Sequence, residues 1–190
     1  MMNAEELRKA FDHFNTDKGW RHNYEYMYHA IFEQVGYPNR LLEVGIKEGS
    51  SVAAWKNIFP NCTVVGIDIC DPKELVKGCE DVVTHFNVDS RQPSVADVVG
   101  DVYDVIIDDG AHAQKHQWST FCGLRDKWTK AYVIEDVEGI VSLQGLQEKL
   151  TSAGFTNTES YISKLQDVTF TKNSTKETMQ VDFYSLVIYR

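Results

Sequence analysis

Two apolar runs that each end in a pair of acids most constrain the fold of this chain. The segment YDVIIDD ends at Asp108 and Asp109, and the segment AYVIED ends at Glu135 and Asp136. Short runs rich in Val and Ile that stop at polar residues are typical of buried strands in a parallel sheet. The carboxyl ends of parallel strands lie side by side, and open α/β sheets bind ligands there. We therefore expect these acids to converge at one edge of the sheet.

Carboxylates that lie this close together need a cation or a proton to offset their repulsion. Any one of them could instead be a helix N-cap or a solvated strand end, because Asp favours such positions. His112, three residues after Asp109, adds a titratable group to the same stretch. The combination favours a functional site at the ends of these two strands.

The alternation of strands and helices extends over most of the chain. Strand-like segments at 40–46, 63–69 and 82–89 precede the two acid-ended runs, and helical patterns separate them. This is the signature of βαβ units, so we predict an α/β, Rossmann-like doubly wound sheet with helices on both faces. Residues 1–190 are expected to form a single domain, with an N-terminal helical segment over 1–36 and the core over 40–190.

Local patterns predict several boundaries within this scheme. Asn3 and Glu6 predict a capping box, and Asn23 predicts the cap of a second helix with an apolar aromatic face. The sequence NTDKGWRH between the two helices is interpreted as a polar loop. Its clustered basic residues are unusual in an acidic protein.

Further patterns lie in the second half of the strand–helix alternation. Asp71-Pro72 predicts the start of a short helix. Near the carboxyl end, TKNSTKET is interpreted as a loop that leads into the strand-like run MQVDFYSLVIYR. That run is expected to pair antiparallel with the preceding β-type segment and so to close an otherwise parallel sheet.

The composition argues against several classes of partner. Lys and Arg total 19 against 28 Asp and Glu, a net charge of −9, so we expect no nucleic acid partner. No apolar stretch approaches the ~18 residues that span a bilayer, so we expect no membrane partner. The 4 cysteines lack CxxC spacing and the amino terminus has no apolar signal region, which predicts a cytoplasmic protein. Monomer and homodimer both stay open.

The turn after the first strand indicates which cofactor the fold accepts. Residues 43–49, EVGIKEG, carry a GxxxG pattern and not GxGxxG. In dinucleotide folds the second glycine lets a diphosphate press against the backbone, and Lys47 stands there instead. S-adenosylmethionine has no phosphate and carries positive charge, so acidic neighbours suit it. The alternative is that the glycines serve turn geometry and the acids are caps.

Asp68, at the end of the second strand, is expected to accept hydrogen bonds from the ribose hydroxyls, and Asp89 to reach the adenosine side. The predicted cofactor-binding residues are Lys18, Glu43, Gly45, Gly49, Asp68, Asp89 and Asp108.

The quoted motifs, together with TDKGWRHNYEYMY and LLEVGIKEGSSVAAWKNIFPNCTVVGIDI, resemble the metal-dependent branch of class I S-adenosylmethionine-dependent methyltransferases. Within that branch the chain is similar to macrolide-sugar O-methyltransferases and cephalosporin-hydroxylase-like proteins. The resemblance implies a seven-stranded sheet with an antiparallel last strand. It also implies a divalent metal, Mg²⁺ or Mn²⁺, held by Asp109, Glu135 and Asp136, with His112 as general base. The chain departs from the family at 128–130, which we expect to form the loop before the fifth strand and which lack the family's glycine pair, and we expect no extra substrate or oligomerisation domain.

Methyl transfer from a sulfonium needs an aligned, deprotonated oxygen close to the methyl carbon. A divalent cation lowers the pKa of a bound hydroxyl, and oxygen ligands favour Mg²⁺ or Mn²⁺ over zinc. We therefore predict an O-methyltransferase acting on a hydroxylated small molecule, a sugar or glycoside. Open alternatives are a catechol-type O-methyltransferase, a cephalosporin-hydroxylase-like enzyme, and a non-catalytic domain that binds S-adenosylmethionine or metal. A zinc site at His112 and His116 is disfavoured because HAQKH lacks the glutamate of HExxH.

Overall fold

Helices alternate with strands along the described chain. The computed structural model describes residues 2–162 and 183–190, and the backbone of 166–172 and 175–181. The helices are α1 (Ala4–His13), α2 (Asp17–Trp20), α3 (Glu25–Val35), α4 (Ser50–Ile58), α5 (Val95–Val99), α6 (Gln114–Leu124) and α7 (Gly139–Ser152). The strands are β1 (Arg40–Val44), β2 (Thr63–Ile67), β3 (Val83–His85), β4 (Tyr103–Asp108), β5 (Trp128–Glu138), β6 (Thr158–Ile162), β7 (Gln166–Lys172), β8 (Thr175–Val181) and β9 (Phe183–Tyr189). Among these helices none is long and apolar enough to cross a membrane.

The main sheet has 7 strands in the order β3-β2-β1-β4-β5-β9-β6. The neighbours from β3 to β5 are parallel, and β9 runs antiparallel to both β5 and β6. This confirms the predicted Rossmann-like sheet, mostly parallel with an antiparallel last strand. The strands β7 and β8 pair with each other in a separate two-stranded sheet.

The strand order reverses between β1 and β4, and this reversal positions the site. From β1 the chain moves outward through β2 and β3, then returns to place β4 on the other side of β1. The register aligns Val44 with Asp108 and Asp108 with Ile134, so the acids after these positions reach one edge. Ligands of doubly wound sheets bind at such a switch point, beyond the carboxyl ends of the strands.

Apolar side chains cover both faces of the sheet. On one face Phe11, Tyr28 and Trp55 pack edge to face between α1, α3 and α4. On the other face Phe121 and Trp128 belong to the core beneath α5, α6 and α7. The aromatic face predicted for the second helix is therefore core, as expected from its spacing.

The N-terminal segment matches the prediction in one respect and differs from it in two. The capping box of Asn3 and Glu6 is present, with both reciprocal hydrogen bonds. Asn23 is not a helix cap: its φ is 54°, and its side chain accepts from Arg8. The sequence NTDKGWRH is not a simple loop, because it contains α2, whose first turn buries Lys18.

Three further expectations are corrected. The helix predicted after Asp71-Pro72 does not form, because this stretch bonds elsewhere: the Val76 N–H donates to the Glu48 carbonyl over 2.9 Å. Part of TKNSTKET lies in β7 and β8, although residues 173–174 are outside the described chain. Residues 128–130 belong to β5 itself and do not precede it. Cross-strand pairing, which local polarity does not report, decides the last two cases.

Candidate active site

A cavity of about 280 Å³ opens at the switch point between β1 and β4. Its walls come from the ends of β1, β2 and β4 and from the loop after β3. The residues that line it include Gly45, Asp68, Asp89, Asp109 and Gly110. Three predicted cofactor residues, Gly45, Asp68 and Asp89, are thus brought together at one cavity.

Gly45 allows two loops to approach each other closely below this cavity. Its φ is 86°, and its N–H donates to the Ile67 carbonyl over 2.8 Å. The neighbouring Asp109 N–H donates to the Val44 carbonyl over 2.9 Å. Gly49, in contrast, is the N-cap of α4 and packs against Cys79, so it shapes the turn without lining the cavity.

Two of the three acids that line the cavity, Asp68 and Asp89, differ in their surroundings. Both carboxylate oxygens of Asp68 accept hydrogen bonds from backbone N–H groups. Oδ2 accepts from Lys47 N and Oδ1 accepts from Cys70 N, each over 2.8 Å. Asp89 is paired with the guanidinium of Arg91 at 2.6 Å. The hydrogen bond from Arg91 lowers the pKa of the Asp89 carboxyl, which keeps it ionised. Both acids therefore offer fixed acceptors to a polyhydroxylated ligand.

Lys18 lies below the cavity, in contact with acids from three strands. Its Nζ is 2.9 Å from Asp109 Oδ2, 3.1 Å from Glu43 Oε1 and 2.5 Å from Glu135 Oε2. Burial acts to lower the pKa of Lys18, but the attraction of these carboxylates outweighs it and raises that pKa well above its ordinary value. The ammonium is therefore charged and serves as their counter-ion.

The three acids around Lys18 do not share its charge equally. Burial is opposed at Asp109 by the ammonium and by His112, which together lower the pKa of that carboxyl. Burial raises the pKa of Glu43 and, more strongly, of Glu135. One ammonium cannot offset three negative charges, two of them buried, so Asp109 holds its ionised form most firmly.

A second group of side chains lies on the outer side of Asp109. Ligand atoms of Asp109, His112 and Asp136 lie within 4.8 Å of one another. Asp136 sits in a β-bulge of β5 with φ of 50°, and its Oδ1 accepts from the Tyr24 hydroxyl over 2.5 Å. The hydrogen-bonded contact with Asp109 raises the pKa of His112. Two carboxylates and an imidazole form a donor set that suits a divalent cation.

Several of the predicted site residues do not line the cavity. Glu43 and Lys18 lie in the buried cluster, away from the cavity wall. Asp108 is 1% exposed beneath Tyr132, and burial raises its pKa to about 7. Glu135 also faces the buried cluster, so the outer group contains His112 where the predicted metal set has Glu135.

Sequence reasoning missed the polar role of two tyrosines. Tyr24 and Tyr28 pack in the core, as predicted, but their hydroxyls donate to Asp136 and Glu135 respectively. His22, also buried, stacks on Tyr24 with its Nδ1 3.4 Å from Asp136 Oδ1. The only available signal was the choice of Tyr over Phe at buried helix positions, since a buried hydroxyl needs a partner.

A second cavity of about 200 Å³ adjoins the first. The two share Gly45, Lys47 and Asp109, and α2 supplies Asp17 and Trp20 to the second. An elongated ligand can therefore extend from Asp89, past Gly45 and Asp109, towards α2. The close approach at Gly45, the acids and this length fit S-adenosylmethionine, and the outer group fits a divalent ion.

The sheet order, the reversal at β1 and β4 and the cavity there define the fold of class I S-adenosylmethionine-dependent methyltransferases. Among solved structures, MycE methyltransferase from the mycinamycin pathway, in complex with Mg, SAH and mycinamycin VI, matches with a TM-score of 0.67 and 21% identity. The match covers 97% of this chain and 54% of MycE. TomG from Streptomyces achromogenes, in complex with SAM, matches with a TM-score of 0.55 and 13% identity over 98% of this chain and 88% of TomG.

Two curated sequences are similar to the chain. The 8-demethyl-8-alpha-L-rhamnosyl tetracenomycin-C 2'-O-methyltransferase of Streptomyces olivaceus is 29% identical over 138 residues, 65% of this chain and 35% of that protein. The L-olivosyl-oleandolide 3-O-methyltransferase of Streptomyces antibioticus is 33% identical over 107 residues, which cover 51% of this chain and 28% of that protein. No family model matches. These similarities confirm the resemblance to macrolide-sugar O-methyltransferases, and the matches span about a third of those curated relatives.

Proposed function

We propose that this chain is an S-adenosylmethionine- and divalent-metal-dependent O-methyltransferase that acts on a hydroxyl of a small molecule, a sugar or glycoside. The observation that carries the proposal is the position of Asp109, which lines the switch-point cavity and also belongs to the outer group with His112 and Asp136. A cofactor in the cavity and an ion at the outer group would therefore be neighbours. The named activities of the two curated relatives support the sugar as acceptor.

S-adenosylmethionine supplies an activated methyl group, and a bound divalent ion polarises the acceptor hydroxyl. The residues of the chain bind and orient these groups and accept the proton. Asp68 accepts hydrogen bonds from the ribose, and Gly45 lets the cofactor lie against the backbone. Asp109 and Asp136 hold the ion, and Tyr24 fixes the carboxylate of Asp136. In this mechanism His112, half-buried at the same place, would not bind the ion, and its neutral imidazole would take the proton of the acceptor hydroxyl.

The test is transfer of labelled methyl from S-adenosylmethionine to a panel of sugars, glycosides and catechols. We expect transfer to a sugar or glycoside, loss of transfer in EDTA and recovery with Mg²⁺. His112→Ala should lower kcat by ~10²–10⁴ while cofactor affinity stays unchanged, because a base acts in the transition state. The control is His13→Ala, an exposed histidine at the end of α1, which should behave as wild type.

The outcomes separate the alternatives. Transfer to catechols alone would assign the catechol-type activity. Binding of cofactor and metal without transfer to any acceptor would favour the non-catalytic module. Full transfer in metal-free buffer would contradict the metal dependence.

A further inference from the structure

Asp109 presents its two carboxylate oxygens to different neighbours. Oδ2 points inward and lies 2.9 Å from Lys18 Nζ, while Oδ1 points outward and lies 3.5 Å from His112 Nε2. The same carboxylate thus joins the buried cluster to the outer group. This arrangement resembles a carboxylate that bridges two cations.

The inner of these two positions is already filled by an ammonium. Lys18 is 1% exposed, and its partners Glu43 and Glu135 are 0% and 1% exposed. An ammonium has three N–H donors, which matches the three carboxylates around it. In two-metal sites a second ion stands ~3.5–4 Å from the first, and here a lysine side chain stands in the inner place.

We propose that Lys18 is a positioning residue: its ammonium permanently fills the inner cation position and leaves only the outer oxygen of Asp109 for a divalent ion. The inference rests on the proposed function, since it assigns the outer group to the ion. It predicts one divalent ion per chain, because the ammonium already occupies the inner position between Glu43, Asp109 and Glu135. In this proposal Lys18 does not bind the cofactor, although the sequence analysis predicts it as a cofactor-binding residue.

The test is removal of the ammonium with little change in side-chain length, Lys18→Met. The buried Glu43 and Glu135 and the partly exposed Asp109 then lose their counter-ion, and a divalent ion can take its place. The measurement is the number of Mn²⁺ ions bound per chain, from the electron paramagnetic resonance signal of free Mn²⁺, without cofactor or acceptor. We expect one ion in wild type and two in Lys18→Met. Mn²⁺ should also raise the melting temperature of the variant more than that of wild type.

Lys115→Met is the matched control. Lys115 is exposed in the first turn of α6, close in sequence to His112, and the same charge is removed. It should bind one ion, with the affinity of wild type. If Lys18→Met also binds one ion with unchanged affinity, the inference is wrong and Lys18 has a structural role only.

The two proposals fail in different ways. If wild type binds no Mn²⁺ and Lys18→Met binds one ion, the outer metal site is contradicted. The role of Lys18 in filling the inner position then still holds. No ion in either protein would overturn both.

Removal of the ammonium leaves the acids around position 18 without a counter-ion, which destabilises the fold, so the circular dichroism of Lys18→Met is compared with and without Mn²⁺. The double variant Lys18→Met/Glu43→Gln, which carries one acid fewer, is measured beside it. We expect Mn²⁺ to restore the fold of Lys18→Met. If both proteins stay unfolded at saturating Mn²⁺, the inner position does not accept a cation and the inference is overturned.

Discussion

A Cβ added to Gly45 would lie 2.2 Å from the carbonyl oxygen of Asp109. The loop that forms the cavity floor and the loop that carries the outer group therefore pack backbone against backbone. Gly45 also has a φ of 86°, a conformation that side chains rarely adopt. Any substitution here would act on both the cofactor cavity and the position of Asp109.

Gly45→Ala should therefore lower the free energy of unfolding and weaken cofactor binding. Gly36→Ala is the control, because Gly36 has a φ of 73° but nothing within 4 Å of the added Cβ. We expect Gly36→Ala to cost about 1 kcal/mol, from backbone strain alone. Gly45→Ala should cost clearly more in urea unfolding. Equal costs would show that the contact with Asp109 relaxes freely.

Asp68→Asn should weaken binding of S-adenosylhomocysteine by ~1–3 kcal/mol, because one of the two acceptor oxygens becomes an N–H donor and the negative charge is lost. Isothermal titration calorimetry gives the affinity, and thermal unfolding shows whether the loop held by Lys47 N and Cys70 N survives. Asp71→Asn, an exposed acid three residues later, is the control and should bind as wild type. Unchanged affinity in folded Asp68→Asn would remove Asp68 from the cofactor site.

Substitutions of the acids in β5 should distinguish the two possible sets of metal ligands. Asp136→Asn should lose Mn²⁺ binding, since Asp136 belongs to both sets. Glu135→Gln should keep binding if the outer group holds the ion, because Glu135 faces Lys18 and Tyr28. Calorimetric titration with Mn²⁺ measures both, and Glu138→Gln, exposed at the end of β5, is the control. Loss of Mn²⁺ binding in Glu135→Gln would instead support the ligand set that the family resemblance implies, Asp109, Glu135 and Asp136.

Tyr28→Phe should lower the free energy of unfolding by ~1–3 kcal/mol, although it removes a single oxygen. The Tyr28 hydroxyl donates to Glu135 in a site where both residues are fully buried, so the carboxyl loses a donor that water cannot replace. Tyr26→Phe is the control, because Tyr26 lies two residues earlier in the same helix and is 70% exposed. Urea unfolding of both variants gives the comparison. A neutral Tyr28→Phe would mean that Lys18 alone satisfies Glu135.

The sequence alone determined the architecture of this protein. Apolar runs that end in acids, separated by helical patterns, specify parallel strands whose ends meet, because side-chain burial repeats with the period of the element. The capping box at Asn3 followed from two residues three positions apart. The convergence of Asp109 and Asp136 also followed, since it needs only the order of the strands.

Only the tertiary structure decided how the acids divide between two environments. Neighbouring residues of a strand point to opposite faces, and the bulge in β5 changes which face each meets, so adjacent Glu135 and Asp136 separate. Lys18 reaches Glu135 across 117 positions of sequence, and Tyr28 reaches it across 107. Local sequence patterns do not encode such contacts, because they depend on how α2 and α3 pack against the sheet.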